Sequence, residues 1–316
     1  MLEKVLAEGT IAPGSPVVAM LSGGRDSVCM LDLAVRAAGS DWVTALHVNY
    51  GLRDDSDEDE RHCAELCEML GTDLEIERPR RPEGPGNLQS WARDVRYAAA
   101  ARLALAAGAT IVTGHTADDQ VETILYRLAS SPSRRALLGM KPHDGRLARP
   151  LLGFTRAETT AYCEQRGLTW REDASNAEPA YARNRVRHGL LPELGKIHPS
   201  AAENVLRTAA LLRDEAEVLD ALVDAELRGS AEAPRSTIAL ARFAELPPAL
   251  RRLVLQRLAD GAAGRPVAGA ARFAEQVASL RRTGVAKLDL GAGVRAVVEA
   301  GVLRATREAD GPEASI

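Results

Sequence analysis

The first half of the chain alternates short apolar runs with apolar stripes at helical spacing. Val17–Leu21 is an apolar run that ends in Ser22-Gly23-Gly24, and Val28–Ala38 then repeats its apolar residues as a helix does. Trp42–Asn49 is rich in β-formers and predicts a strand. Asp55–Leu70 carries a stripe through Cys63, Leu66, Cys67 and Leu70 and is stopped by Gly71. Leu74–Glu77 predicts a short strand and Arg78–Gly86 a Pro/Gly/Arg loop. Leu88–Ala107 predicts a long alanine-rich helix closed by Gly108, Thr110–Thr113 a strand and Asp118–Ala129 a helix. Strand alternating with helix predicts an α/β fold, a parallel sheet covered by helices on both faces. Such sheets take ligands beyond the carboxyl ends of their strands.

After Asn184 the pattern changes. Ser200–Leu227 predicts one long amphipathic helix, Arg228–Arg235 a Gly/Ser/Ala/Pro break, and Leu240–Ala259 and Val267–Leu280 further helices. Ala286–Leu290, Arg295–Glu299 and Val302–Arg304 predict short strands around Gly291, Gly293 and Gly301. Two domains are expected, residues 1–214 and a mostly helical 215–316 with short terminal strands, followed by a polar tail after Glu308.

Composition changes this picture in two ways. Hydrophobic residues make up 46% and charged residues 27% of 316, enough apolar surface for a folded core. The four cysteines include no CxxC pair, and Cys63 and Cys67 fall on a helical stripe, so they are expected in the core. No apolar run approaches the ~20 residues of a membrane helix, and the N-terminus with Glu3 and Lys4 does not resemble a secretory signal. A soluble, cytoplasmic protein without a membrane partner is expected.

The strongest motif is Ser22-Gly23-Gly24-Arg25-Asp26-Ser27, between a strand and a helix. Two glycines let the backbone curl round an anion, whose charge the helix N-terminus favours. Asp26 would repel a phosphate unless a divalent cation lies between them, and Mg²⁺ is the natural choice. Neither GxxxxGK[ST] nor GxGxxG is present. The alternative is a glycine-rich turn with Asp26 or Ser27 as a helix cap.

This loop resembles the pyrophosphate loop of the N-type ATP pyrophosphatases. Four further stretches resemble one branch of them, the bacterial tRNA(Ile)-lysidine synthases: His47–Arg53, Ala92–Tyr97, Gly114–Thr123, and Arg149–Leu152 continuing through Trp170, Asp173, Ser175 and Asn176 to Arg183–Arg187. The resemblance runs well from residue 17 to about 195. It implies a Rossmann-like sheet of the PP-loop ATPase type with an appended, mostly helical tRNA-recognition domain. It implies ATP and Mg²⁺ as cofactors, and L-lysine and a tRNA(Ile) with a CAU anticodon as substrates. A homodimer is compatible with it. The implied reaction is a carbon–nitrogen ligation: ATP adenylates O2 of the wobble cytidine, pyrophosphate leaves, and the lysine amine attacks C2 and displaces AMP.

By that resemblance Asp26, Asp119, Arg183 and Arg187 are candidate catalytic residues. Asp26 and Asp119 are candidate metal ligands. Ser22, Gly23, Gly24, Arg25, Asp26, Ser27, His47, Asn49 and His115 are candidate nucleotide contacts. Glu122, Arg93 and Arg96 are candidates for the lysine site. Other readings stand beside these. Asp119 and Glu122 fit a D-x-x-E capping box, and His47 fits a buried, hydrogen-bonded core histidine. Adjacent helical residues face different ways, so one of Asp118 and Asp119 is expected in the site and the other in the scaffold. Arg183 and Arg187 share a helix face, either as an anion clamp or as a solvated surface. The sequence departs from the family at Tyr50, Thr116 and Ala129–Arg135.

Enzyme alternatives are a tRNA thiolase on the same loop, which typically needs CxxC pairs, and a small-molecule amidating relative. A non-catalytic adenine-nucleotide-binding module is the third. The net charge of −4 speaks against a basic nucleic-acid binder until charge is mapped by position. Of 40 basic residues all but Lys4, Lys141, Lys196 and Lys287 are arginines. Residues 123–157 hold seven of the 40 against the single acid Asp144, whereas Asp54–Glu60 has six acids in seven positions. The total is a sum of opposed patches, and RNA binding rewards local phosphate contacts instead of a basic sum.

Overall fold

The computed structural model describes residues 1–52, 55–80, 82, 88–130, 134–172, 182–227, 236–281 and 283–307. The chain divides into two units, Met1–Ala210 and Leu211–Ile316. The first runs α1 (Leu2–Ala7), β1 (Val17–Met20), α2 (Arg25–Ala38), β2 (Val43–Val48), α3 (Ser56–Leu70), β3 (Asp73–Glu77), α4 (Leu88–Ala107), β4 (Thr110–Val112), α5 (Ala117–Ser130) and α6 (Arg134–Leu138). It continues with β5 (His143–Asp144), β6 (Leu147–Ala148), α7 (Arg156–Arg166), α8 (Ala182–Arg185) and α9 (Leu191–Ile197). A π-helical turn, Val186–Leu190, joins the last two.

The sheet order is β3-β2-β1-β4-β6-β5. Pairing is parallel throughout except for β5, which lies antiparallel to β6 at the edge. The period of two along β1 serves two cores. Val17 and Ala19 pack with α2, α3 and α7, while Val18 and Met20 pack with Ala99, Ala100 and Ala104 of α4. Burial on both faces is what a parallel sheet needs, and it explains why Val17–Leu21 reads as an unbroken apolar run. All four cysteines are free and buried, Cys63 and Cys67 as their helical spacing predicts.

α7 lies outside the predicted elements, although Thr155-x-x-Glu158 is a legible capping box. The Thr155 side chain accepts from the Glu158 amide, the Glu158 carboxylate accepts from the Thr155 amide, and Gly167 ends the helix in the left-handed region. The helix docks on α2 through Asp32, whose buried carboxylate accepts from the Tyr162 hydroxyl at 2.5 Å and from Arg166 Nη2 at 3.1 Å.

α10 (Ala201–Leu227) carries the chain from the first unit into the second. There β7 (Thr237–Ala239), α11 (Leu240–Glu245), α12 (Pro248–Ala263), α13 (Ala274–Ala278), β8 (Val285–Gly291), β9 (Val294–Glu299) and β10 (Val302–Arg307) enclose a second core around Phe243, Leu255 and Leu303. The strands form an antiparallel sheet, β7-β10-β9-β8. Two predicted helices need correction. Leu240–Ala259 is broken because Pro247 and Pro248 force Leu246 into extended backbone, after which Pro248 starts α12. Val267–Leu280 is reduced to a 3₁₀ turn at Ala270–Phe273 and the short α13. The predicted break Arg228–Arg235 and the tail beyond residue 308 lie outside the described residues. Among the described residues no helix is long and apolar enough to cross a membrane.

Asp32→Ala removes one buried polar link between α2 and α7. It is expected to lower stability by about 3 kcal/mol, the scale of hydrogen bonds to a buried charge, as measured by chemical denaturation. A loss below about 1 kcal/mol would show that the remaining contacts between the two helices suffice without it.

Candidate active site

From β1 the chain builds the sheet outward to β2 and β3, then returns to place β4 on the other side of β1. The carboxyl ends of β1 and β4 therefore flank the point where strand order reverses. Ser22–Ser27 leaves β1 there and Thr113–Asp119 leaves β4. Two glycines let these segments form and meet. Gly23 sits at φ +81°, a conformation that side chains resist. A Cβ on Gly114 would lie 2.7 Å from the main-chain oxygen of Asp26, so this approach needs a glycine. The loop closes on Ser27, whose Oγ donates to the Gly24 carbonyl at 2.8 Å and accepts from the Ser22 amide at 3.1 Å. α2 begins directly at the loop and presents the positive end of its dipole.

Asp26 belongs to a charge cluster. Its Oδ1 accepts from Thr159 Oγ1 at 2.6 Å and from Arg25 Nε at 3.1 Å, and its Oδ2 lies 3.9 Å from Arg156 Nε. Arg156, the first residue of α7, also donates from Nη2 to Asp119 and from Nη1 to Glu122 Oε1 at 2.9 Å. Arg187 forks onto Glu122, with Nε to Oε1 at 2.6 Å and Nη2 to Oε2 at 3.0 Å, and lies 3.5 Å from Asp119. Three carboxylates from α2 and α5 are thus set among three guanidiniums, with Arg156 common to all three acids. Burial by itself would push the Asp119 carboxyl up, but Arg156, the Thr116 amide and His115 outweigh it and hold it below its ordinary value. Burial disfavours the Arg156 charge too, and Asp119 and Glu122 more than restore it.

The two aspartates divide as their adjacency predicts. Asp118 Oδ2 accepts from the Arg156 amide at 2.8 Å and ties α5 to the start of α7, while Asp119 faces the cluster. The D-x-x-E capping box is corrected. Thr116 caps α5, its amide donating to Asp119 Oδ2 at 2.9 Å, and Glu122 is free of capping and buried against the arginines.

His47 and Asn49 brace the scaffold. The buried His47 ring bonds through Nδ1 to the Leu21 carbonyl at 3.0 Å, just before the loop, and burial lowers its pKa. Asn49 Nδ2 donates to Asp57 and Glu60 of α3 at 3.1 and 2.9 Å. Arg93 and Arg96 both lie over the Tyr97 ring, at 4.5 and 5.8 Å from its centroid. Neither pairs with an acid among the described residues. Burial lowers the pKa of Arg127, and Arg183, Arg149 and Arg93 lower it further; burial and Arg93 lower that of Arg149 against the opposing pull of Tyr97 and Asp144. Arg149 is 7% exposed, and its Nε has no partner. This crowd of like charges invites an anion. Arg183 is exposed and adds its field at Arg127. Among the described residues it shares no partner with Arg187, and the π-helical turn begins between the two.

Sequence reasoning missed Arg156 and Thr159. Their only local signal is the capping box that places them on the first turn of α7. The motif residues Arg53, Asp173, Ser175 and Asn176, and Ser131–Ser133 of the divergent loop, lie outside the described residues.

A family model described as a PP-loop domain matches residues 2–194. The chain is 39% identical over 267 residues to the tRNA(Ile)-lysidine synthase of Thermus thermophilus, a match covering 82% of this chain and 51% of the relative. It is 39% identical over 243 residues to the tRNA(Ile)-lysidine synthase of Geobacter sulfurreducens, covering 72% and 51%. The chain spans about half the length of these curated relatives. Among solved structures, the U34-tRNA thiolase NcsA from Methanococcus maripaludis superposes with a TM-score of 0.56 at 19% identity, over 67% of this chain and 77% of that one. That likeness is one of fold.

Burial, aided by Arg149, Arg93 and Arg96 against the opposing pull of Asp119, pushes His115 down to about 4 from its ordinary 6.5. With the folded pKa below the unfolded one, the unfolded state binds more protons between these values. Stability from this group is therefore intact above about pH 6.5 and falls as pH drops toward 4. His115→Gln is expected to flatten that part of the stability–pH curve, measured by urea unfolding at pH 7 and 4.5. An unchanged slope would return His115 to an ordinary titration.

Proposed function

This chain belongs to the PP-loop domain family, and on that premise we propose that it carries out tRNA(Ile)-lysidine synthesis. It would ligate L-lysine to C2 of the wobble cytidine of a tRNA(Ile) with a CAU anticodon, at the cost of ATP cleaved to AMP and pyrophosphate. The observation that carries this reading is the meeting of the phosphate loop with Asp119, Glu122 and Arg187 around Arg156. Anion-binding amides and acids able to receive an ammonium stand within one side chain's reach.

In this proposal the Ser22–Ser27 amides and the α2 dipole bind the ATP phosphates and stabilise charge on the leaving pyrophosphate. Asp26 and Asp119 would hold Mg²⁺. Among the described residues no three His, Cys, Asp or Glu side chains make a metal site of their own. Two carboxylates joined by substrate phosphates are a common way for this ion to be held, so the oxygen donors fit it. Bound there, it would neutralise charge on the phosphates.

Glu122 would receive the lysine ammonium and take its proton as the amine attacks. The arginines now on these acids would turn to the anions that enter with substrate. Arg93, Arg96, Arg127 and Arg149 would take RNA phosphates or the lysine carboxylate, and Arg183 would extend that surface. The cytidine would leave its stack to expose O2. The second unit would read the tRNA body. The four cysteines are packed in cores, which leaves the thiolase alternative without an accessible sulfur.

Incorporation of ¹⁴C-lysine into acid-insoluble tRNA(Ile), with AMP release, tests the reading. Its absence in the wild-type chain would sink it. Asp26→Ala is expected to fall at least about a hundredfold, the scale for losing a transition-state electrostatic contact. Full incorporation by that variant would remove Asp26 from the chemistry. Arg187→Ala is expected to weaken turnover without unfolding the chain, and unchanged kinetics would make its ion pair with Glu122 purely structural.

A further inference from the structure

The acidic run that opens α3 plays no part in the proposed chemistry, yet its residues Asp57, Glu58, Asp59 and Glu60 are engaged. Arg171 Nε donates to Asp59 Oδ1 at 2.7 Å, and its Nη2 donates to Glu58 Oε2 at 3.0 Å. The same residue touches the phosphate loop with its main chain. Its amide donates to the Gly23 carbonyl at 2.9 Å. A Cβ on Gly24 would stand 3.9 Å from the Arg171 carbonyl, so the segment around Arg171 runs beside the loop as a strap. Trp170, one residue earlier, packs on the first core. From behind, α3 closes on the loop, since a Cβ on Gly23 would meet Cys63 Sγ at 3.4 Å and His62 Cδ2 at 3.7 Å.

The geometry of one peptide group gives this bond its importance. The Gly23 carbonyl and the Gly24 amide belong to the same planar trans unit and point in opposite directions. A peptide between two glycines rotates with little steric hindrance, because neither neighbour has a Cβ. The Arg171 amide holds the carbonyl on the α3 side. It thereby aims the Gly24 N–H at the opposite side, into the space the loop encloses. The guanidinium supplies the anchorage. It fastens the strap to Asp59 and Glu58 on the first turn of α3, a helix outside the loop.

We propose that Arg171 is a positioning residue for the phosphate loop, pinned to the acids of α3 so that its main-chain amide fixes the Gly23–Gly24 peptide with the Gly24 N–H turned toward a bound phosphate. The inference deepens the functional reading and rests on ATP being the ligand of this loop. It also gives the acidic run a purpose: the run repels the phosphates themselves but grips the arginine that shapes their cradle.

Calorimetric titration of ATP into the full chain tests it directly. Arg171→Ala is expected to raise the ATP Kd about tenfold, and Arg171→Lys, which keeps a cation beside Asp59, by no more than about threefold. Asp59→Asn combined with Glu58→Gln is expected to weaken ATP in the same direction. Adding those changes to Arg171→Ala should cost nothing more, because all three act through one anchorage. In the ligation assay the KM for ATP is expected to rise with the Kd, while the KM for lysine stays within about twofold of wild type, because the change is confined to the phosphate loop. Unchanged ATP affinity in Arg171→Ala, while the wild type binds, would overturn this proposal alone. So would a rise in the lysine KM that matches the fall in ATP affinity, which would mark a general loss of structure. Failure of the wild-type chain to bind ATP would overturn the functional reading and this inference with it.

Discussion

Carboxylates crowd together in a half-buried pocket only if something positive stands between them. Here that is the guanidinium of Arg156, with Arg187 beside it. Without them Asp26, Asp119 and Glu122 would repel one another, and the cheapest relief would be to take up protons. With them the acids stay ionised, and Asp119 is held below its ordinary pKa in spite of burial. The charge balance is also a positional constraint. Asp26 starts α2, Asp119 and Glu122 lie on α5, Arg156 starts α7 and Arg187 lies in the π-helical turn. Four elements from distant parts of the chain meet because their charges have to.

The route by which they meet was partly legible in the sequence. An apolar run ending in Ser-Gly-Gly and opening a helix specifies both a strand and its ligand edge, so the loop could be read locally. Helix geometry alone could say that Asp118 and Asp119 face different ways, but not which of them joins the cluster. Arg156 could not be found that way. Its significance comes from carboxylates 130 and 37 positions away in the sequence, contacts that no local pattern encodes. His47 and Asn49 show the opposite limit. The strand end could be read from the sequence either as a nucleotide contact or as a buried, hydrogen-bonded histidine, and the bonds of His47 to Leu21 and of Asn49 to α3 are ones no local pattern encodes. In the second unit, helical periodicity across Pro247 masked a break that the two prolines impose, and three-residue β7 was too short to carry a pattern.

Charge likewise becomes informative only once located. The acids of α3 are spent on Arg171, Arg78 and Asn49, so they act as internal anchors. The arginines around Tyr97 and Arg149 have no such partners among the described residues and retain their field. A slightly acidic total thus conceals one face of compensated charge and another of uncompensated charge, and only the second can attract a polyanion from a distance.

The cations of the site have one further property. Arg25, Arg93, Arg96, Arg127, Arg149, Arg156 and Arg187 all end in guanidinium, which keeps its proton throughout the range in which proteins fold. Such a group offers charge without a lone pair. A lysine in the same place would carry a latent amine. The four lysines of the chain are bonded elsewhere or exposed, and none is bonded to Asp26, Asp119 or Glu122. An activated carbon placed in this pocket would meet no side-chain amine among these groups. In a reaction whose nucleophile is itself a lysine amine, the surrounding cations would be chemically silent, and the product would record the amine that entered from solution.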